Sequence, residues 1–324
     1  MDDDANHGDG SAVRIVGADA VVAALDWRRL SEAIAEILVE TDRAAGPPRW
    51  VLPAGGTLGH EFNLLVMPSW HAEGPVGIKV VTHVPGNAER GEPVIRAAYL
   101  AFDPLNGTLS AVIDGEALTA RRTAALSALA GRWTIRPDAR RLLVIGTGQL
   151  AVPLVEAHRA LHPFDHVEVW GRTPSRAAAV AAASGASAVT DLELAVRDAD
   201  VIVTATAAAE PLVRGAWVQP GTHVSLIGSY QPSMCEADAD LILTATVFAD
   251  TRPGALLAGE LHRPIAEGHC DESVIVAELA DLVAGRHPGR TTAEEITVFE
   301  SVGFALADLA AARVVLTGER TSEP

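Results

Sequence analysis

The sequence predicts an α/β protein that combines a Rossmann-type domain, in which helices cover a parallel sheet, with an α+β domain at the N-terminal side. Three observations support this fold class. Beyond residue 119, short apolar runs alternate with Ala-rich helical segments, as in successive βα units. Before that point, Val/Ile/Leu runs are separated by Pro and Gly turns, as in antiparallel hairpins. The length of 324 residues also favours two domains over one.

The first half is predicted to contain one long helix followed by a set of strands. Apolar residues such as Trp27 and Leu30 recur at helical spacing within residues 26–45. Residues 104–107, Pro-Leu-Asn-Gly, are a turn signal between two of the strands. Residues 1–10 are expected to form a disordered tail. The predicted strands are Asn63–Met67, Gly77–Thr82, Arg96–Phe102 and Ser110–Ile113.

The second half is predicted to alternate between strands and helices, which places its strands in one parallel sheet. The last segment, Ala293–Leu316, is apolar at helical spacing and is predicted as a single C-terminal helix. The predicted strands are Arg141–Ile145, His166–Trp170, Asp200–Ala205 and Thr222–Ile227, and the predicted helices are Thr119–Arg132, Ala151–Leu161 and Arg176–Ala183.

The composition argues against several classes of function. The formal net charge is −17 and there is no basic run, so we do not expect nucleic-acid binding. The acidic start is unlike a secretory signal, and no apolar run approaches the ~18 residues of a membrane span. The two cysteines, Cys235 and Cys270, have no metal-ligand spacing. We therefore expect a cytoplasmic protein without a metal site or a membrane partner.

A glycine loop predicts a dinucleotide site. Gly146 and Gly148 follow an apolar strand, and Ala151 begins the next helix in the pattern GxGxxA. The first glycine permits the tight turn, the second lets the backbone approach a pyrophosphate, and the alanine allows close packing of helix on strand. The free N–H groups of the helix start complete an anion site.

The end of the second Rossmann strand bears on the choice of cofactor. NAD(H) enzymes place an acid there to bind the ribose hydroxyls, whereas Glu168 lies inside the predicted strand and no acid follows at its end. Arg172 and Arg176, assisted by Thr173, are able to bind a 2′-phosphate instead. The sequence therefore favours NADP(H), with NAD(H) as the alternative.

Three basic residues stand in unusual surroundings. Lys79 is the only lysine among 25 basic residues, and it lies in an apolar strand, where a charge either faces solvent or points into a site. Arg49 follows Pro47-Pro48, a stiff approach. Arg122 is predicted at the start of an Ala-rich helix, where the macrodipole disfavours a cation, so we expect a compensating anion. Together these residues indicate an anionic substrate.

Several segments, in order along the chain, resemble the ornithine cyclodeaminase/mu-crystallin family. The resemblance covers nearly the whole chain, and the segments around Lys79 and Arg122 together are its specific part. The matching segments are Val66-Met67-Pro68, Gly77-Ile78-Lys79-Val80, Pro85-Gly86-Asn87, residues 118–128 (LTARRTAALSA), the glycine loop, residues 169–173 (VWGRT) and residues 296–303 (ITVFESVG).

The resemblance implies a division of roles between the two domains. Residues 11–118 with 296–324 would bind substrate and form a homodimer, and residues 119–295 would form the Rossmann domain, with the C-terminal helix returning to the first domain. The implied cofactor contacts are Gly146, Gly148, Gln149, Leu150, Arg172, Thr173, Arg176, Thr206, Ile227 and Ser301, although many members carry Gln where this chain has Leu150.

The resemblance also implies how the substrate is held. Residues matching Arg49, Lys79 and Arg122 hold the substrate carboxylate in the family, and the residue matching Val302 lies near the substrate. The proton for the imine nitrogen is a separate question. Lys79 either completes the carboxylate clamp or supplies this proton, since burial and nearby arginine charge would lower its pKa. His60 and His83 flank this region and are alternative donors.

Departures from the family pattern discriminate among its activities. Tyr230 stands where cyclodeaminases have a catalytic Asp, and Leu64 and Leu65 stand where they have an acid before the Met-Pro pair. Residues 228–234 (GSYQPSM) instead resemble reductases of 1-pyrroline-2-carboxylate and 1-piperideine-2-carboxylate. We therefore expect NAD(P)H-dependent reduction of a small cyclic ketimine acid to L-proline or L-pipecolate. The alternatives are an alanine dehydrogenase, an ornithine cyclodeaminase, and a mu-crystallin-like protein that binds NADPH and a ligand without useful turnover.

Overall fold

Two sheets and the helices between them make up the described part of the chain. The structure, a computed structural model, describes residues 12–40 and 42–318, so the predicted tail at 1–10 lies outside the described residues. One sheet is largely antiparallel and the other is entirely parallel, which confirms the predicted α/β class.

The antiparallel sheet contains β1 (Arg14–Val16), β2 (Ala44–Ala45), β3 (Trp50–Pro53), β4 (Asn63–His71), β5 (Val76–His83), β6 (Ile95–Phe102) and β7 (Leu109–Asp114). Its order is β1-β7-β6-β5-β4-β2, with β3 also paired to β4. Only β1 and β7 run parallel. All four strands predicted in this half are present, and each is longer than predicted, because strand pairing continues past the apolar runs into polar residues such as Ser69 and Asp114.

The parallel sheet contains β8 (Arg141–Ile145), β9 (His166–Trp170), β10 (Ser187–Val189), β11 (Val201–Thr204), β12 (His223–Leu226), β13 (Thr246–Ala249), β14 (Ile275–Glu278) and β15 (Thr297–Glu300). Its order is β10-β9-β8-β11-β12-β15-β13-β14. The central strands are buried on both faces, which explains why they read as continuous apolar runs rather than as alternating patterns.

The α-helices are α1 (Ala18–Ala24), α2 (Trp27–Val39), α3 (Gly55–Leu58), α4 (Gly115–Thr134), α5 (Ala151–Leu161), α6 (Pro174–Ser184), α7 (Leu192–Asp198), α8 (Ala239–Thr244), α9 (Arg252–Ala255), α10 (Gly259–Ala266), α11 (Leu279–Val283) and α12 (Ala305–Gly318). Asp26 caps α2 by accepting bonds from two backbone N–H groups of its first turn, and Asp114 caps α4 in the same way with one. None of these helices, in the part of the chain that is described, is both long and apolar enough to cross a membrane.

Helix α4 connects the cores of the two halves. Its small side chains let it pack closely against α2, α5 and α12. Leu126 joins an apolar core that includes Tyr99 of the antiparallel sheet, whereas Ala124 and Ala128 join the core around Val144 of the parallel sheet. The interior of α4 is therefore where groups from both halves can meet.

Two predicted helices differ from the structure. The helix predicted over 26–45 ends at Val39, because the residues that follow are polar, and Ala44–Ala45 pair with β4. The helix predicted over 293–316 is two elements, β15 and then α12. The β-branched and aromatic run in β15 favours a strand. Since β15 lies between β12 and β13, it belongs to the parallel sheet, whereas the predicted division assigned residues 296–324 to the first domain.

Candidate functional site

Lys79 lies on the buried face of the antiparallel sheet. Alternate residues of β5 face inward, and Lys79 is only 1% exposed. Its Nζ donates a hydrogen bond to Asp308 Oδ1 at 2.8 Å. Asp308 is fully buried and belongs to α12, which packs on β4 and β5. Of the two orientations that the sequence left open for this lysine, the structure has the inward one.

Arg122 reaches the same carboxylate from α4, because its Nε donates to Asp308 Oδ1 at 2.8 Å. The prediction that Arg122 opens its helix is wrong. The Asp114 cap starts α4 at Gly115, so Arg122 lies in the helix interior. The expected anion is present in Asp308, but the reason is packing of α4 against α12 and not the helix macrodipole.

Arg49 completes a set of three cations, Arg49, Lys79 and Arg122, which we call the cationic cluster. Its Nη2 donates to the Val302 carbonyl at 3.3 Å. Gly303 has a φ of +81°, and a Cβ there would lie 2.5 Å from Arg122 Nη1, so only glycine lets this loop lie against the guanidinium. All four predicted substrate residues thus meet where β5, α4 and the loop after β15 converge.

Asp250 fixes the loop that carries Val302. It is 1% exposed, and its Oδ2 accepts hydrogen bonds from Ser301 Oγ at 2.9 Å and from the Gly303 N–H at 2.6 Å. Because these two donors flank Val302, they hold its carbonyl toward Arg49.

The three cations of the cationic cluster face two carboxylates, Asp308 and Asp250. Burial lowers the pKa of Arg49. Burial, followed by repulsion from Arg122, lowers the pKa of Lys79 to about 8, although the Asp308 carboxylate opposes this shift. Asp308 Oδ1 accepts both bonds, while its Oδ2 has no hydrogen-bond partner among the described residues. A small carboxylate beside the three cations would reduce their repulsion.

The glycine loop between β8 and α5 has the geometry that a dinucleotide pyrophosphate requires. Gly146 has a φ of +134°, and a Cβ there would lie 2.5 Å from the Ala205 carbonyl oxygen. At Gly148 nothing lies within 4 Å of the Cβ position, which leaves space beside its backbone. Helix α5 has no acidic residue in its first turn and no side-chain cap, so its N–H groups are available to an anion. These residues fit a dinucleotide.

The carboxyl ends of neighbouring parallel strands carry further predicted cofactor residues, and this edge is where ligands bind in open α/β sheets. Glu236 ties two of these ends together by accepting hydrogen bonds from the N–H groups of Thr206 at 2.6 Å and Gly228 at 2.7 Å. The predicted residues along this edge are Gln149, Leu150, Thr206, Ile227 and Ser301.

Arg172, Thr173 and Arg176 are exposed just beyond the end of β9. Glu168 lies within β9, with its Oε1 3.9 Å from Arg141 Nη2. The strand therefore presents no carboxylate at its end. Within the ranges that the structure describes, neither Arg172 nor Arg176 has an ion-pair partner.

Three buried glutamates, Glu236, Glu260 and Glu300, form an acidic cluster below the carboxyl edge of the parallel sheet. Glu236 accepts hydrogen bonds from Thr204 and Thr206, and Glu260 accepts the Glu236 N–H. Burial raises the pKa of Glu260 to about 7. Burial and the charges of the other two glutamates raise the pKa of Glu300 well above its usual value. Among the described residues, no group of three potential ligands could hold a metal.

The two histidines considered as proton donors lie in different surroundings. His83 ends β5, and its Nε2 is 3.2 Å from Tyr230 Oη in the loop after β12. His60 is exposed, and its Nδ1 is 3.1 Å from the Leu58 carbonyl oxygen. Only His83 thus connects the two sheets.

Sequence reasoning missed Asp308, Asp250 and the acidic cluster. Asp308 carried a detectable signal, because an acid inside the apolar run of α12 is as unusual as Lys79 inside its strand. Asp250 likewise follows the apolar run of β13. The three glutamates carried no local signal, because their proximity depends on how distant segments pack.

Residues 17–323 match the profile of the ornithine cyclodeaminase/mu-crystallin family. The chain is 41% identical over 240 residues to Delta(1)-pyrroline-2-carboxylate reductase of Paracoccus denitrificans, covering 72% of this chain and 76% of that protein. The structure of Thermococcus litoralis Delta(1)-pyrroline-2-carboxylate reductase in complex with NADH and L-proline has a TM-score of 0.90 and 28% identity, covering 96% of this chain and 98% of that one.

An archaeal alanine dehydrogenase dimer with bound NAD is also similar, with a TM-score of 0.88 and 28% identity over 96% of this chain and 97% of that one. The fold, the order of the motifs and the match across almost the whole chain agree with one another. The protein belongs to the ornithine cyclodeaminase/mu-crystallin family.

Proposed function

We propose that this protein reduces the C=N bond of a small cyclic ketimine acid, 1-pyrroline-2-carboxylate or 1-piperideine-2-carboxylate, to L-proline or L-pipecolate. The observation that carries the proposal is the cationic cluster, in which Arg49, Lys79 and Arg122 converge beside the loop at Val302 with Asp308 as the carboxylate that bonds two of them. The reductase names of the relatives support the same substrate class.

The clamp would fix the orientation of the ring. Arg49 and Arg122 offer planar forks that match a carboxylate, and Lys79 adds a compact charge beneath them. Because the carboxylate is attached to the imine carbon, holding it also determines which face of that carbon is presented. When bound, the reduced nicotinamide supplies the hydride that the imine carbon accepts. The burial of Lys79 and Arg122 keeps water from competing for the carboxylate.

A substrate panel tests this function. Purified protein is given each cyclic imine, pyruvate with ammonia, or L-ornithine, and oxidation of the reduced cofactor and release of ammonia are followed. We expect the cyclic imines to react at least about tenfold faster than pyruvate with ammonia. The reverse order would favour an alanine dehydrogenase, the second candidate, which rests on the similarity to the archaeal enzyme. Ligand-dependent stabilisation without cofactor oxidation would favour a binding protein.

For the cofactor we favour NADP(H). The support comes from the exposed arginines Arg172 and Arg176 and from the absence of a β9 carboxylate at the strand end. An adenosine 2′-phosphate beside these guanidinium groups would be bound by charge-assisted hydrogen bonds. The double variant Arg172→Ala/Arg176→Ala should raise KM for NADPH strongly and KM for NADH little. An equal rise for both cofactors would contradict the assignment.

We also propose that the first domain pairs with a second copy of this chain. Trp50, Val51 and Leu52 of β3 are 59%, 54% and 49% exposed, which is unusual for three consecutive large apolar residues. The similar alanine dehydrogenase is described as a dimer. Leu52→Glu should convert the dimer to monomer in light scattering. Ile15→Glu, at a more exposed apolar position on β1, should leave the dimer intact.

A further inference from the structure

One hydrogen bond links the two sheets beside the cationic cluster. Tyr230 Oη in the loop after β12 is 3.2 Å from His83 Nε2 at the end of β5. The two rings meet edge to face, with centroids 6.0 Å apart and an interplanar angle of 85°. Side chains alternate along a strand, so His83 and Lys79 share one face of β5, ~13 Å apart along the strand. The pair thus stands on the same side of the sheet as the carboxylate clamp.

The surroundings of the pair connect it to both the clamp and the solvent. The Arg49 guanidinium is close enough to Tyr230 for the two groups to interact electrostatically. Glu61 is the other charged group that acts on the pair, and it faces both members. Tyr230 and His83 are each only partly buried. A proton entering at the imidazole can therefore reach the phenol without crossing the core.

Lys79 is poorly placed to supply the proton. It is 1% exposed, and its ammonium is bonded to Asp308 at 2.8 Å. A substrate carboxylate beside it would raise its pKa above the value of about 8 that burial and Arg122 impose. The lysine therefore holds its proton more firmly at the moment when the imine needs one.

We propose that Tyr230 donates the proton that the imine nitrogen takes up, and that His83 restores that proton from solvent; this inference rests on the reductase function proposed above. In the balanced step, the imine carbon gains a hydride from the reduced nicotinamide, which is oxidised. The π electrons of the C=N bond move to nitrogen, and a new N–H bond forms as the Tyr230 O–H bond breaks. His83 then protonates the phenolate at Oη and takes a proton from water.

The protonation states suit this relay. Burial raises the pKa of Tyr230, so the phenol is intact at neutral pH. Burial lowers the pKa of His83, although Glu61 opposes the shift, so the imidazole is neutral. A neutral imidazole has one N–H and one free ring nitrogen, so it can give a proton on one side and accept one on the other.

Tyr230→Phe is the main test, because it keeps the ring and removes only the hydroxyl. We expect kcat for the cyclic imine to fall roughly 100-fold near pH 8. The loss should shrink toward about pH 5.5, where solvent protonates more of the imine. Pyrrole-2-carboxylate, a planar analogue that cannot be reduced, should bind to the variant within about twofold of wild type by calorimetry.

His83→Gln and His60→Gln form a matched pair of variants. His83→Gln should lower kcat roughly tenfold, because the phenolate must then be reprotonated by water alone. His60→Gln, at an exposed position bonded only to its own turn, should leave kcat unchanged.

Three results would overturn the relay. They are a Tyr230→Phe variant with wild-type kcat near pH 8, a loss of equal size at every pH, and a parallel loss of pyrrole-2-carboxylate binding. If wild-type protein reduces no cyclic imine, the proposed function itself fails. If wild type reduces it and Tyr230→Phe does so equally well, only the relay fails.

Discussion

The protein buries two groups of like charges and treats them in opposite ways. In the cationic cluster, Asp308 bonds Lys79 and Arg122, and the Asp250 carboxylate acts on Arg49. In the acidic cluster, Glu236 accepts hydrogen bonds from hydroxyl and N–H donors, and burial and the neighbouring carboxylates raise the pKa of Glu300. Taking up protons therefore lowers the charge of the acidic cluster, whereas in the cationic cluster only Lys79, with a pKa of about 8, loses a proton readily and the two arginines need anionic partners.

The two clusters therefore suit different roles: the cationic cluster suits anion binding, and the acidic cluster supports the carboxyl edge of the sheet. Repulsion within the cationic cluster is relieved when an anion arrives, so part of the binding free energy comes from removing strain between charges. In the acidic cluster, both carboxyl oxygens of Glu236 accept hydrogen bonds without any ligand, and these bonds fix Thr206 and Gly228 at the carboxyl edge of the sheet.

Removing one cation should have the largest effect. Arg122→Met leaves Asp308 bonded to Lys79 alone and deletes a planar carboxylate partner. We expect kcat/KM for the cyclic imine to fall roughly 1000-fold, about 4 kcal/mol. The neighbouring Arg121 stacks on Trp27 and bonds the Leu25 carbonyl, so Arg121→Met is the control and should change kcat/KM little. Equal losses in the two variants, with equal thermal stability, would argue against a carboxylate clamp.

Removing the counter-ion should have the next largest effect. Asp308→Asn keeps the shape of the side chain but leaves Lys79 and Arg122 without a negative partner. Since Asp308 raises the pKa of Lys79, that pKa should fall below about 8 in the variant. Binding of pyrrole-2-carboxylate should weaken roughly 100-fold, and the pH above which it weakens should move down. A pH profile identical to that of wild type would contradict this assignment.

The lysine itself should show a smaller but more specific effect. Because the pKa of Lys79 is about 8 in the free protein and rises when an anion binds, ligand binding near that pH should take up protons. Calorimetry of pyrrole-2-carboxylate in buffers of different ionisation enthalpy measures this uptake. Lys79→Arg should abolish the uptake and lower kcat roughly tenfold through imperfect fit. A Lys79→Arg variant with the kcat of wild type would show that Lys79 contributes only its positive charge.

A substitution in the acidic cluster should change only the stability of the protein. Glu260 has a folded-state pKa of about 7 against an ordinary value of 4.5, so folding takes up a proton between these values and stability falls as pH rises through that window. Glu260→Gln should therefore raise Tm by about 2–4 °C near pH 8 and change it little near pH 4.5. Glu267→Gln, on the exposed side of the same segment, should leave both values unchanged. A Glu260→Gln effect that is independent of pH would show that packing, not charge, is responsible.

The sequence predicts most of the fold because its signals are local. The strand that ends at Ile145 and the helix that begins at Ala151 have the predicted bounds, since an apolar run and a glycine turn define both. The prediction for the last part of the chain is wrong because residues 297–300 and the helix after them are both apolar. Helical spacing of apolar residues therefore does not distinguish the strand from the helix. In the structure, Gly303, with its φ of +81°, lies between the end of β15 and the start of α12.

The candidate site is likewise predictable where a residue carries a local signal and not where it depends on the packing of distant segments. Lys79 and Arg122 were found because each is a cation in an apolar segment that also matches the family. Asp308 is also a charge in an apolar segment, but an acid does not bind a substrate carboxylate, so its pairing with the cations follows only from the docking of α12. The link between Tyr230 and His83 depends on the docking of one sheet against the other, which no local pattern reports.

The position of Asp308 in the chain has a consequence for how the protein is made. The carboxylate follows Lys79 by 229 residues and Arg122 by 186, so both cations and all eight strands of the parallel sheet leave the ribosome before their counter-ion. Until α12 docks, the nascent chain must keep these cations in water or against another anion. The cationic cluster therefore gains this counter-ion only when α12 docks.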